Sequence, residues 1–213
     1  MNKKDSELIV DIIFRFCQEQ HNELKDVNLT IDNSSYWDDF STNMIVTYNG
    51  KAYKSPCIKY GYLAYDEEGF EKNKENFLIT DLFKNLKIEN NLDAFILSIL
   101  HEMGHIIRRN NGTYNNDKKQ HELYKIKHSN IKSSLKRDKR YRAIEEEREA
   151  DKFASKNYNT VKHILQPTIK LIEVLNEKEN KIKILKNELF HEKSKNLNIT
   201  NFEVKISKNG RKI

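Results

Sequence analysis

A chain of 213 residues, 37% hydrophobic and 33% charged, can fill one domain core with an extension to spare. Its formal charge of +6 permits an acidic partner, nucleic acid included, without requiring one. Cys17 and Cys57 form no C-x-x-C pair, which argues against cysteine-ligated zinc and fits a reduced, cytoplasmic chain. Asp11 and Arg15 break the apolar run after Lys3 and Lys4, and no window is long enough to span a bilayer, so neither signal peptide nor membrane anchor is expected.

Only two prolines and six glycines interrupt the chain, which favours helices with wet outer faces. Residues 5–24 read as an amphipathic helix carrying Leu8, Ile9, Ile12, Ile13, Phe16 and Cys17 on one period. Val27 to Ile31 alternates like a short strand. Met44 to Tyr48 and Lys51 to Ser55 flank Asn49-Gly50, a two-residue hairpin turn. Ile58 to Tyr65 reads as a further strand and 75–87 as a helix. Residues 92–109 form a helix with Asn90 or Asn91 as N-cap, Asp93 in the first turn and Gly112 beyond its end. The stretch 113–140 is polar and ambiguous. A second helix covers 141–157, and a long helical pattern from Val161 to about Lys193 is kinked or restarted by Pro167. The last twenty residues read as a tail or weak strand.

His101-Glu102-Met103-Gly104-His105 is H-E-x-x-H inside the 92–109 helix. That spacing sets two imidazoles one turn apart on one face, where both can ligate one Zn²⁺ per chain, with Glu102 as general base for a zinc-bound water. A third ligand is sought in Glu145-Glu146-Glu147-Arg148-Glu149. Winding this segment at about 100° per residue puts Glu147 on a face with Ala143, Ile144, Ala150, Asp151, Ala154 and Tyr158. A carboxylate on a face of small residues suits a close helix approach, and a buried one needs a cation. Glu145, Glu146 and Glu149 read as a solvated face, with Glu146 on the flank near Phe153. Asp151 can accept a hydrogen bond from a ligating imidazole and fix its tautomer.

With these residues the chain resembles the ImmA/IrrE family of gluzincin-type zinc metallopeptidases, which pair H-E-x-x-H with a downstream E-x-x-A-[ND]-x-F-A. The second element is matched by Glu147-Arg148-Glu149-Ala150-Asp151-Lys152-Phe153-Ala154. The resemblance implies His101, His105 and Glu147 as ligands and Glu102 as catalytic residue. It also implies a phage or mobile-element type of soluble protease that cleaves a regulatory protein, such as a helix-turn-helix repressor. The chain departs from the pattern where Ser155-Lys156-Asn157-Tyr158 replaces a Leu-rich stretch and in a long interval from His105 to Glu147; neither touches the ligands.

The expected fold is therefore α+β: a mainly helical zincin-like domain (1–158) with a small antiparallel sheet before the motif helix, and a helical extension and tail (159–213). Ile58–Tyr65 is the expected edge strand for an extended substrate. His121, Tyr124, His128, Tyr141 and His163 are candidate oxyanion donors. Lys118 to Arg142 holds ten Lys/Arg against Glu122 and Asp138, a net +8 in a basic insertion open to an acidic partner or to solvent. Leu171, Leu175, Ile182, Leu185 and Leu189 form a stripe broken by the polar 177–181 stretch, read as packing back on the domain in preference to a coiled-coil dimer. Two other readings stand beside the protease of a regulatory protein: an SprT-like zincin with another target, and a non-hydrolytic protein- or DNA-binding protein on the same scaffold.

Overall fold

A computed structural model describes residues 2–35, 40–43, 46–48, 51–53, 56–61, 77, 80–112, 114–128 and 134–209. The chain is mostly helical. Helix α1 (Lys3–Gln20) opens with a capping box, in which the Asn2 side chain accepts from the Asp5 amide at 2.9 Å and Asp5 accepts from the Asn2 amide at 3.3 Å. It starts before the expected residue 5, and Leu8 faces solvent at 45% exposure while Ile9, Val10, Ile13, Phe16 and Cys17 are buried. A 3-10 turn (Asn22–Leu24) completes the span to 24.

Five short strands follow: β1 (Thr30–Ser35), β2 (Phe40–Asn43), β3 (Val46–Tyr48), β4 (Lys51–Tyr53) and β5 (Cys57–Gly61). The hairpin reading holds for β3 and β4, which pair antiparallel with Tyr48 opposite Lys51, while Asn49-Gly50 lies outside the described residues. The expectation of an antiparallel sheet is corrected. In the order β1-β5-β2, β1 runs parallel to β5 and β2 antiparallel to it, so the sheet is mixed. The expected edge strand is corrected too: β5 is the central strand, and 62–65 lie outside the described residues. Cys57, Ile58 and Tyr60 of β5 are all buried, with Tyr60 bonded to Ser6 of α1 at 3.1 Å and edge-on to Phe95 at 5.3 Å. Cys57 and Ile58 bury both faces at the start of the strand, while Lys59 in its middle is exposed.

Between the sheet and the motif helix, Phe77 is helical, in line with the expected 75–87 helix, while 75–76 and 78–79 lie outside the described residues. From Thr80 on, the expected helix is corrected to a 3-10 turn (Asp81–Phe83) capped by Thr80, followed by turn and coil to residue 90. Helix α2 (Asn91–Asn110) is N-capped by Asn90, whose side chain accepts from the Asp93 amide at 3.0 Å. Every residue from Asp93 to Ile107 is buried, which makes α2 the central helix of the fold. Gly112, at φ +85°, lies just past its end as expected, in the left-handed region that glycine adopts without strain.

The ambiguous polar stretch contains two helices, α3 (Tyr114–His128) and α4 (Ser134–Tyr141). Helix α5 then runs from Glu145, later than the expected 141, through Pro167 and on to Asn209, across the stretch read as a tail or weak strand. Contacts divide the chain into Met1–Leu165 and Gln166–Ile213. Within the first unit, Ala150, Ala154, Tyr158, Val161 and Leu165 of α5 are buried. Lys162 meets Asp93 at 2.7 Å, Tyr158 donates to the Lys87 carbonyl at 3.0 Å, and Ser155 donates to the Leu82 carbonyl at 2.8 Å. Arg108 meets Glu145 at 3.4 Å at the other end, so α2 and α5 lie antiparallel.

Their closest approach is at Gly104. A Cβ added there would stand 2.8 Å from the Ala150 Cα, a backbone atom that cannot swing aside. Helix propensity alone favours alanine over glycine by about 1 kcal/mol, but overpacking a core contact costs about 1–3 kcal/mol. Gly104→Ala is therefore expected to lower the urea-unfolding free energy despite the better helix former; an increase would refute the close crossing.

Candidate metal centre

A helix buried on all sides can carry polar side chains only where they find partners. His101, Glu102 and His105 are 6%, 7% and 5% exposed, and each offers a ligand atom within 4.8 Å of the others, so this buried group can hold a metal ion. The Nε2 atoms of His101 and His105 lie 3.0 Å apart. The antiparallel register brings Glu147 across from them, with Oε2 3.3 Å from His101 Nε2 and Oε1 3.7 Å from His105 Nε2. The face assigned from sequence is the face that packs: Glu147, Ala150, Asp151, Ala154 and Tyr158 are buried, although Ala143 precedes the helix and is exposed. Glu145 and Glu149 keep their wet positions, with side chains 52% and 39% exposed.

The outer nitrogens fix the chemistry of the inner ones. Asp151 Oδ1 lies 2.8 Å from His101 Nδ1, as expected for a carboxylate that orients the ring. A proton on Nδ1 leaves the Nε2 lone pair pointing inward. At His105, Nδ1 lies 3.1 Å from Glu146 Oε1, a charge contact on the outer side of the ring. His101 Nε2, His105 Nε2 and the Glu147 carboxylate converge on one small volume, where a buried carboxylate calls for a positive partner.

In the metal-free protein a proton serves that need. Burial disfavours the His101 imidazolium, yet hydrogen bonds to Asp151 and Glu147 outweigh it and raise the pKa to about 9. Burial likewise raises Glu147, but His101 and His105 and a hydrogen bond from Tyr141 hold it well below the usual carboxylate range. Glu146 is lowered to about 2, because His105, Arg109 and His121 overcome its burial.

Sequence reasoning missed two members of this cluster. Glu146, read as solvated, is 2% exposed. Besides its charge contact with His105, it accepts hydrogen bonds from His121 Nε2 at 2.7 Å and from Arg109 Nη2 at 3.3 Å, and so ties α3 to the centre. The available signal was His105 itself, whose outer nitrogen needs an acceptor from the facing helix. Arg142 was counted only as part of the basic stretch, yet its Nη1 donates to Asp151 Oδ1 at 2.8 Å, beside His101. No spacing rule reaches Arg142, since it stands in the turn between α4 and α5.

The candidate oxyanion donors separate. The Tyr141 hydroxyl bonds Glu147; burial and the Glu147 and Glu102 carboxylates keep it protonated, although the residue as a whole is 37% exposed. His121 stands 3.7 Å from Glu147 Oε1 and 5.5 Å, ring to ring, from Tyr141. Tyr124 meets Tyr141 edge-on, with ring centres 5.6 Å apart. His128 instead meets Arg140 at 3.2 Å, and His163 is an exposed residue of α5; neither joins the cluster.

Compared with known proteins, the chain matches no family model, no curated protein and no solved structure. No helix among the described residues is long and apolar enough to cross a membrane.

The two shifts set a pH window for the metal-free protein. His101, raised from 6.5 to about 9, stabilises the fold fully below 6.5, and that contribution is lost as pH rises through 9. Glu146, lowered from 4.5 to about 2, contributes above 4.5 and loses its share as pH falls toward 2. Urea midpoints of the chelator-treated protein should therefore be highest between pH 4.5 and 6.5 and fall on both sides, with a shallower acid limb in Glu146→Gln. A midpoint that rises from pH 6.5 to 9 would contradict the network.

Proposed function

We propose that this chain is a zinc-dependent metallopeptidase of the ImmA/IrrE type, with a zincin-like first unit, hydrolysing a peptide bond in a regulatory protein. The observation that carries the reading is the convergence of His101 Nε2, His105 Nε2 and the Glu147 carboxylate, with Glu102 in the same buried group. Two zinc–ligand bonds of about 2.0–2.1 Å at a tetrahedral angle set their ligand atoms roughly 3.3–3.4 Å apart. Separations of 3.0, 3.3 and 3.7 Å suit that edge. Two histidines and one carboxylate also leave a fourth position open, which distinguishes a catalytic from a closed structural site.

His101, His105 and Glu147 would hold the ion, which when bound supplies a Lewis acid that acidifies water and polarises the scissile carbonyl. Glu102 is the residue for the proton: its carboxylate accepts one from the attacking water and returns it to the leaving amine. Asp151 keeps the His101 imidazole turned inward while this happens. Tyr141, held protonated beside Glu147 and Glu102, is the favoured donor to the developing oxyanion, with His121 next to it.

An extended substrate pairs by strand addition with an edge that has free backbone groups. With β5 central, β2 takes that role: it is an edge of the described sheet and lies against α2. The repressor-like identity of the substrate rests on the resemblance of the two motifs alone.

The zinc-loaded protein should generate new N-termini in a proteome-derived peptide library, read by mass spectrometry, and Glu102→Gln should abolish them while retaining its metal. Product from parent and Glu102→Gln alike would refute the role of Glu102, and none from either would leave a metal-binding scaffold without hydrolysis.

A further inference from the structure

The second unit carries an apolar stripe in water. Leu171, Leu175, Ile182, Leu185 and Leu189 are 50–59% exposed, so the burial expected for this stripe is not found. With Lys178 included, positions 171, 175, 178, 182, 185 and 189 alternate steps of four and three, the spacing of a coiled-coil seam. Lys178 is its one polar break.

The flanks of the seam say what covers it. Glu179, Lys181, Lys186 and Glu188 border it and are all exposed. A second copy laid parallel and in register would set Lys178 against Lys178 and Lys181 against Lys186, like charge on like charge. An antiparallel copy with Ile182 against Leu185 sets Glu179 against Lys186 and Lys181 against Glu188, each twice by two-fold symmetry. Sliding that register one heptad one way puts Glu179 and Lys181 each opposite itself. Sliding it the other way does the same to Lys186 and Glu188. Only one arrangement pairs every flanking charge with its opposite.

We propose that residues 171–189 bind a second copy of this chain as an antiparallel two-stranded coiled coil centred between Lys183 and Ile184. In the outer layers Lys178 lies along Leu189 of the second copy, its alkyl stem on the leucine and its ammonium toward Glu192 one layer further out. Two fully apolar layers with mixed layers outside them make a weak dimer.

Sedimentation equilibrium of the full-length protein, from low to several hundred micromolar, tests this directly. The parent should pass from monomer to dimer in that range. Lys181→Glu, at an exposed position where the fold is indifferent, places a carboxylate opposite Glu188 and should weaken the dimer roughly tenfold. Adding Glu188→Lys should restore it. A parallel dimer would respond the other way, because Lys181→Glu removes its clash with Lys186. A parent monomeric at every concentration, or a Lys181→Glu variant that dimerises more tightly, overturns the proposal; circular dichroism of each variant checks that the helix is retained.

Discussion

The close crossing of α2 and α5 at Gly104 and Ala150 is the constraint on which the rest of the first unit depends. It brings two backbones together where any larger residue in the H-E-x-x-H helix would hold them apart. Because the helices run antiparallel, one register decides the whole site. His101 meets Glu147 and Asp151, His105 meets Glu146 and Glu147, and the helix ends are tied by Lys162 to Asp93 and Arg108 to Glu145. Neither helix alone could gather these donors. The centre is a property of the interface.

Electrostatics then explains why so polar a cluster survives inside a core. Glu102, Glu146, Glu147 and Asp151 are all buried, a concentration of negative charge that isolation from water makes costly. Arg142 and Arg109 offset it from the rim, and the two imidazoles turn their inner nitrogens toward one point. The raised His101 and lowered Glu146 and Glu147 are one fact seen from both sides: the cavity favours positive charge at its centre. A buried group of this kind can hold a metal ion, and Glu102 belongs to it.

Much of this site was legible because helices are periodic. Once two histidines one turn apart fixed one face, a turn of about 100° per residue picked Glu147 out of four glutamates and put Asp151 one turn beyond it. Glu146 escaped the same reasoning because it sits on the flank, where burial depends on what packs alongside. Its partners Arg109 and His121 come from α2 and from a helix hidden in a polar stretch. Helices α3 and α4 are polar and carry few apolar residues to mark a buried face, so the sequence left this stretch ambiguous. Sheet order was beyond reach for a related reason. The run Cys57-Ile58 signals burial on both faces, yet nothing local says which strands lie on either side, so β5 was read as an edge when it is the centre. The 75–87 segment has helical composition, but Asn90 caps α2 soon after it, and its second half, from Thr80, forms a 3-10 turn and coil instead.

The central claim is that Glu147, and not one of its neighbouring glutamates, completes a metal centre with His101 and His105. Metal content of the purified chain, measured beside Glu147→Ala and Glu149→Ala, tests it most directly. The account predicts about one zinc per chain in the parent and in Glu149→Ala, and loss of most of it in Glu147→Ala, since removing one of three protein ligands leaves two. Zinc retained in Glu147→Ala, or a parent that takes up none after metal addition, would contradict it.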